Sequence, residues 1–151
     1  MTIQNFLYST REELFQKAAN RCASQITRGI EKQGRASIAV AGGTTPAPVF
    51  ELLSNMSLDW HNVLVAPTDE RWVDISQSNS NQNLIENTLL VNQASSARLM
   101  PLKNSYATAA EGQCESQKSI GELNRPFDLV MVGMGSDGHF ASLFPGSSPF
   151  D

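Results

Sequence analysis

His139 closes a glycine-rich turn, Gly133-Met134-Gly135-Ser136-Asp137-Gly138-His139, that directly follows the apolar run 127–132. Such a run suits a parallel strand covered on both faces. Gly133, Gly135 and Gly138 let the backbone bend sharply and approach a ligand closely. An imidazole is a general base near neutral pH, and Asp137, two positions earlier, can orient the ring or a water. Backbone N–H groups of the same turn can stabilise an oxyanion. Open α/β sheets bind ligands at the carboxyl ends of their strands, so small-molecule chemistry is expected here.

Two other segments carry chemistry. Gly42-Gly43-Thr44-Thr45-Pro46 has the makings of an anion site, with exposed N–H groups, two hydroxyls and a helix N-terminus behind them. A plain strand-to-helix turn fits the same residues equally well, and there is no P-loop lysine. Asp69-Glu70-Arg71-Trp72-Val73, followed by Ser80-Asn81, places three charges together. Arg71 can grip a phosphate bidentately, while Asp69 and Glu70 orient it or bond sugar hydroxyls. Taken alone, an ordinary surface turn with a local ion pair is the better reading. The 133–138 turn also spells G-x-G-x-x-G, but only 13 residues remain after Gly138, too few for the acidic partner of a dinucleotide site. Ser136 and Ser142 flank His139 outside any G-x-S-x-G elbow, so a serine nucleophile is set aside. His61, beside Trp60, reads as a surface residue, and two histidines without ligand-spaced partners give no metal site.

The elements that must position these residues alternate helix and strand, which predicts a parallel sheet with helical crossovers. Ser9-Thr10-Arg11-Glu12 reads as a capping box opening a long helix. Leu14, Ala18, Cys22, Ile26 and Ile30 recur every four residues, and Gly34 is a natural stop. Strands are expected over 36–41, 63–67, 99–102 and 127–132. Helices are expected after Thr45 as N-cap with Pro46 at the first helical position, over 83–90 and over 106–120. The predicted class is α/β: a three-layer, mostly parallel, Rossmann-like sheet with helices on both faces. It forms a single domain over 1–151. In the doubly wound order the strands run 3-2-1-4, leaving the most apolar one at an edge. With no helix after Phe144-Pro145-Gly146 to close the last crossover, the sheet is expected to be incomplete at the C-terminus, or to need another chain.

Together the three motifs resemble the glucosamine-6-phosphate isomerase/6-phosphogluconolactonase family, in the family's order and across essentially the whole chain. The third is the most diagnostic, continuing as Phe140-Ala141-Ser142-Leu143-Phe144-Pro145-Gly146. Deaminase relatives typically read Ile-Ala-Phe-Asn-Glu-Pro after Asp-Gly-His and carry Asp-Glu-Tyr in the second motif. The present Ala-Ser-Leu-Phe-Pro-Gly and Asp-Glu-Arg resemble the lactonase branch.

The resemblance implies hydrolysis of 6-phospho-D-glucono-1,5-lactone to 6-phosphogluconate in the oxidative pentose phosphate pathway, without cofactor or metal. It implies catalysis by His139 with Asp137. It also implies substrate binding by Gly42, Gly43, Thr44, Thr45, Asp69, Glu70, Arg71, Asn81, Gly133, Gly135 and Gly138. The family's further phosphate-binding basic residues have no counterpart in this chain. A sugar-phosphate isomerase or deaminase, and a non-catalytic sugar-phosphate-binding fragment, are the alternatives.

Composition agrees with a small-molecule protein. The 151 residues are 40% hydrophobic and 17% charged, with a net charge of −4. That balance argues against a nucleic-acid or anionic-membrane surface. No apolar run of transmembrane length and no signal-peptide pattern occurs, and Cys22 and Cys114 have no metal spacing, so partly buried, reduced thiols in a cytoplasmic protein are expected.

Overall fold

A computed structural model describes residues 3–147; Asp151, the last residue of the sequence, lies outside them. Helix α1 (Arg11–Gln33) starts one residue later than the Ser9–Glu12 box would place it. Thr10 is the N-cap, with extended backbone, and its hydroxyl accepts the Glu13 N–H at 3.1 Å. Glu13 reaches back to the Ser9 N–H at 3.3 Å, so the reciprocal cap uses Thr10 and Glu13. Gly34, at φ 79°, ends the helix by donating its N–H to Ile30.

Strand β1 (Ala36–Val40) is buried along its whole length. It pairs in parallel with β2 (Val63–Pro67) on one side. β3 (Arg98–Leu99) extends the sheet beyond β2, and β4 (Leu129–Met131) pairs with the other side of β1. The order is β3-β2-β1-β4, as the doubly wound rule predicts. β3 is half as long as expected.

Side chains of β1 and β2 alternate between two layers, as the strand period requires. Ile38, Val40, Val63 and Val65 join Ile26 of α1, Phe50 of α2 (Ala47–Ser54) and Ile85 of α3 (Asn81–Thr88) in the main core. Burying a side chain such as Phe50 stabilises by roughly 1.5–3 kcal/mol. Leu64 and Ala66 face the other way, meeting Met100, Leu123 and, at the end of α4 (Ala109–Ile120), Ile120. Helices therefore lie on both faces. α3 begins two residues earlier than expected because Ser80 caps it at Asn83. α4 begins three later, at a capping box of Thr108 and Glu111.

β4 takes the expected edge position but is shorter than the run 127–132 and is not covered on both faces. Leu129 and Met131 pack on the main core, but Val130 and Val132 are 53% and 52% exposed. On the second face Ile120 of α4 packs in the cluster around Leu64 and Ala66 of β2, and Val130 belongs to neither core cluster. The strand is anchored at its start instead. Asp128 donates its N–H to Ser37 O at 2.9 Å, and its carboxylate accepts the Ser37 N–H at 2.8 Å and the Gln33 amide at 3.0 Å.

Cys22 is buried in α1, which pushes its thiol up to about 11, whereas Cys114 is exposed rather than partly buried. His61 is exposed as expected, beside a buried Trp60. No described helix is long and apolar enough to cross a membrane.

Candidate active site

Three loops leave the carboxyl ends of β1, β2 and β4 and meet in a cleft of about 230 Å³. The first carries Gly42, Gly43, Thr44 and Thr45, all of which line the cleft. Gly43 takes φ 88°, a left-handed conformation that glycine adopts without cost. Gly42 is needed for a different reason: a Cβ there would overlap the Asn81 carboxamide. Thr45 is not the cap of α2. Pro46 occupies that position in helical geometry, with no side-chain cap, and the helix begins at Ala47, one residue later than predicted. Both threonine side chains are exposed at the cleft.

The second loop continues β2, with the Thr68 N–H bonded to Val40 O at 2.9 Å. Asp69 and Glu70 are adjacent, yet Asp69 lines the cleft and Glu70 bonds the start of α3. Asp69 faces the cleft. Its Oδ1 accepts from Thr68 Oγ1 at 3.2 Å, and its backbone oxygen accepts from Asn81 Nδ2 at 2.8 Å. Glu70 does not line the cleft, contrary to expectation. Its carboxylate accepts the backbone N–H groups of Asn81 and Gln82 at 2.9 and 2.7 Å and the Ser80 hydroxyl at 3.2 Å. Those N–H groups begin α3, whose positive dipole end favours a carboxylate. Arg71 lines the cleft and spends Nη1 on Asn79 O at 2.5 Å, leaving other guanidinium donors for a ligand. Trp72 instead bonds Tyr106 O through Nε1 at 3.0 Å and stacks under Lys103.

The third loop folds on itself. Gly135 donates to His139 O at 2.8 Å and Gly138, at φ 89°, donates to Gly135 O at 3.0 Å. This brings His139 Nδ1 to 2.6 Å from Asp137 Oδ1, which also accepts the His139 N–H at 3.2 Å. The bond from the imidazole, helped by that backbone N–H, holds the Asp137 carboxyl below the usual aspartate range. A Cβ on Gly135 would overlap the imidazole, so this glycine makes room for the ring. Phe144 covers the ring at 4.7 Å between centroids. A carboxylate can only accept, so the neutral imidazole carries its proton on Nδ1 and keeps the lone pair on Nε2.

Gly133, Gly135, His139 and Asn81 line the cleft with the residues above, while Asp137 and Gly138 act from behind it by shaping the turn. Ala41, Pro46, Met134 and Ala141 also line it without any prior signal beyond adjacency to the motifs. The Ser142 hydroxyl bonds Asp69 Oδ2 at 2.8 Å rather than His139, which fits no nucleophile reading.

Residues 9–150 match the family described as glucosamine-6-phosphate isomerases/6-phosphogluconolactonase. The chain is 37% identical over 144 residues to a 6-phosphogluconolactonase of Caulobacter vibrioides, covering 95% of this chain and 62% of that one. A 6-phosphogluconolactonase of Mesorhizobium japonicum is 39% identical, over 91% of this chain and 58% of its own. The crystal structure of a 6-phosphogluconolactonase from Shewanella baltica superposes with a TM-score of 0.89 at 42% identity, covering 91% of this chain and 59% of that one. The chain thus spans about three fifths of the length of these relatives. With its three loop motifs assembled around one cleft and a match running nearly end to end, the chain belongs to the glucosamine-6-phosphate isomerase/6-phosphogluconolactonase family.

Proposed function

We propose that this chain is the catalytic part of a cytoplasmic 6-phosphogluconolactonase that hydrolyses 6-phospho-D-glucono-1,5-lactone to 6-phosphogluconate. The observation that carries the reading is the Asp137–His139 pair, 2.6 Å apart, beside a cleft walled by the 42–45 loop. A δ-lactone is an activated ester, so a general base acting on water suffices. His139 Nε2 takes a proton from water as the water oxygen bonds to the lactone carbonyl carbon. The negative charge on the carbonyl oxygen is met by backbone N–H groups of the glycine turns. The bond to the ring oxygen then breaks, and the proton on Nε2 passes to that oxygen, which becomes the sugar hydroxyl. Asp137 holds the ring in the tautomer that allows this and stabilises the transient imidazolium.

Arg71 and the hydroxyls and N–H groups of 43–45 are the groups suited to the phosphate. The lactonase names of the relatives and the Asp-Glu-Arg and Ala-Ser-Leu-Phe-Pro-Gly sequences favour this over amino-sugar chemistry.

The test is an assay of this chain, and of the chain continued to the family's length, on freshly generated lactone with spontaneous hydrolysis subtracted. The continued chain should turn over lactone and release no ammonia from glucosamine 6-phosphate. His139→Ala should lower kcat by about a hundredfold or more. Full activity in that variant, or ammonia release by the parent, would overturn the reading. Arg71→Ala should raise KM for the phosphorylated lactone far more than for an unphosphorylated one.

A further inference from the structure

Asp69 and Ser142 lie 73 residues apart, on loops that leave strands on either side of β1, and their side chains meet at 2.8 Å. Among the described residues this is the one side-chain hydrogen bond between 133–147 and the rest of the chain. Every other described side-chain bond of that segment is internal to it, including the pair that orients His139. The ring is therefore well held by its own loop, while the loop is held to the cleft by Ser142.

The Asp69 end is a fixed post. Its peptide oxygen takes the Asn81 amide at 2.8 Å, Oδ1 takes Thr68 Oγ1, and Asn81 is itself 4% exposed beneath Gly42. The Ser142 end is bent to reach it. Ala141 takes φ 49°, a left-handed conformation that a Cβ disfavours, and Leu143 donates to Phe140 O at 3.0 Å to close a tight turn around it. A non-glycine residue stays in that region only where its surroundings hold it. Here the turn presents Ser142 to Asp69 and leaves Ala141 in the cleft wall.

We propose that Ser142 is a positioning residue, whose hydroxyl ties the His139 loop to Asp69 and so fixes the imidazole relative to the substrate held by the 42–45 and 69–71 loops. This rests on the lactonase reading of the cleft. Ser142 touches neither the reacting atoms nor His139; it acts through the placement of the loop. Small misplacements of a catalytic base lower turnover steeply, while the phosphate grip supplied by the 42–45 and 69–71 loops changes little.

The test compares Ser142→Ala with Ser142→Thr, which keeps the donor. In the chain continued to the family's length, Ser142→Ala should lower kcat about ten- to a hundredfold with KM within about threefold, and Ser142→Thr should recover most of it. In the 151-residue chain itself, the His139 ring ¹H and ¹⁵N resonances should shift and broaden in Ser142→Ala and stay near the parent values in Ser142→Thr. The His61 resonances should hold still in both. Parent kcat with unmoved His139 resonances in Ser142→Ala overturns the proposal, as does equal loss in both variants. If the parent hydrolyses no lactone the function reading fails separately, and the His139 resonances still decide whether Ser142 positions that ring.

Discussion

Gly42 has no room for a side chain because the carboxamide of Asn81 fills the place its Cβ would take. That contact packs the first loop onto the start of α3, and the same amide holds the Asp69 carbonyl at 2.8 Å. Two loops and a helix start are thus fitted around one buried side chain. Gly42→Ala must push the amide aside, an overpacking change that should cost about 1–3 kcal/mol. Asn81→Ala removes a donor from a half-buried carbonyl and should cost about as much. The double variant has no amide to collide with, so its loss should fall short of the sum by more than about 0.5 kcal/mol. Urea unfolding of the four proteins measures this, and strict additivity would show that the two residues do not meet.

Asp137 and His139 share a bond that sets both a charge and a tautomer. The carboxyl lies below the usual aspartate range because it accepts from the imidazole and from the His139 N–H. A depressed folded value means that the contact favours the folded turn above the unfolded-state pKa of aspartate. That contribution is lost as pH falls through the lower folded value. A carboxyl ¹³C titration should therefore place the Asp137 midpoint below that of an unstructured aspartate. At neutral pH, ¹⁵N shifts should report the Nδ1–H form of His139. Asp137→Asn should move the ring toward a mixture with Nε2–H, because an amide can donate as well as accept. An unchanged tautomer in that variant would remove Asp137 from the mechanism.

Glu70 behaves as a cap. Its two oxygens take two backbone N–H groups of the first turn of α3, the Ser80 hydroxyl and, at 2.7 Å, the Arg71 N–H. Glu70→Ala should lower stability by about 1–3 kcal/mol, read as a shift in the denaturation midpoint. The KM change should follow only from loosening of Asp69 and Asn81. A raised KM with the midpoint unmoved would return Glu70 to the role of ligand.

The neighbouring roles of Asp69 and Glu70 mark where sequence reasoning stopped. β1 and β2 were legible because each is an apolar run bounded by turn residues and buried on both faces. Their order followed from connection rules alone. Helix starts slipped by one to three residues where two capping residues compete, as at Ser9 and Thr10, or where the expected cap lies in the turn before the helix, as Thr45 does. Tertiary fit decides such cases. The three motifs converge on one cleft, but adjacency in sequence says nothing about direction: Asp69 enters the cleft while Glu70 turns to the N–H groups of α3. The apolar run 127–132 suits a strand covered on both faces, because hydrophobicity reports what can be buried and not what is available to cover it. Its place at the sheet edge, which the connection rules gave, is what pointed to the exposure of Val130. Ser142 carried one signal, its place three residues after His139. Its partner lies too far off in sequence for any local pattern to pair them.

Asp128 fastens the strand that carries the third loop. Its carboxylate accepts the Ser37 N–H and the Gln33 amide, its N–H is held by Ser37 O, and the absence of a side chain at Gly29 leaves it space. β4 is otherwise a three-residue edge strand half open to water. Asp128→Ala should cost about 1–3 kcal/mol by leaving the Ser37 N–H without its acceptor. Gly29→Ala should act on the same carboxylate, since its Cβ would stand 2.6 Å from Asp128 Cγ. In both variants amide hydrogen exchange should quicken in β4 more than in β2, because β2 lies between two neighbours and keeps its own packing. Loosening β4 frees the His139 turn at its root, so the same variants should broaden the His139 resonances without touching a residue of the cleft. Equal acceleration in β2 and β4 would mean that global unfolding, not a local mooring, is what Asp128 opposes.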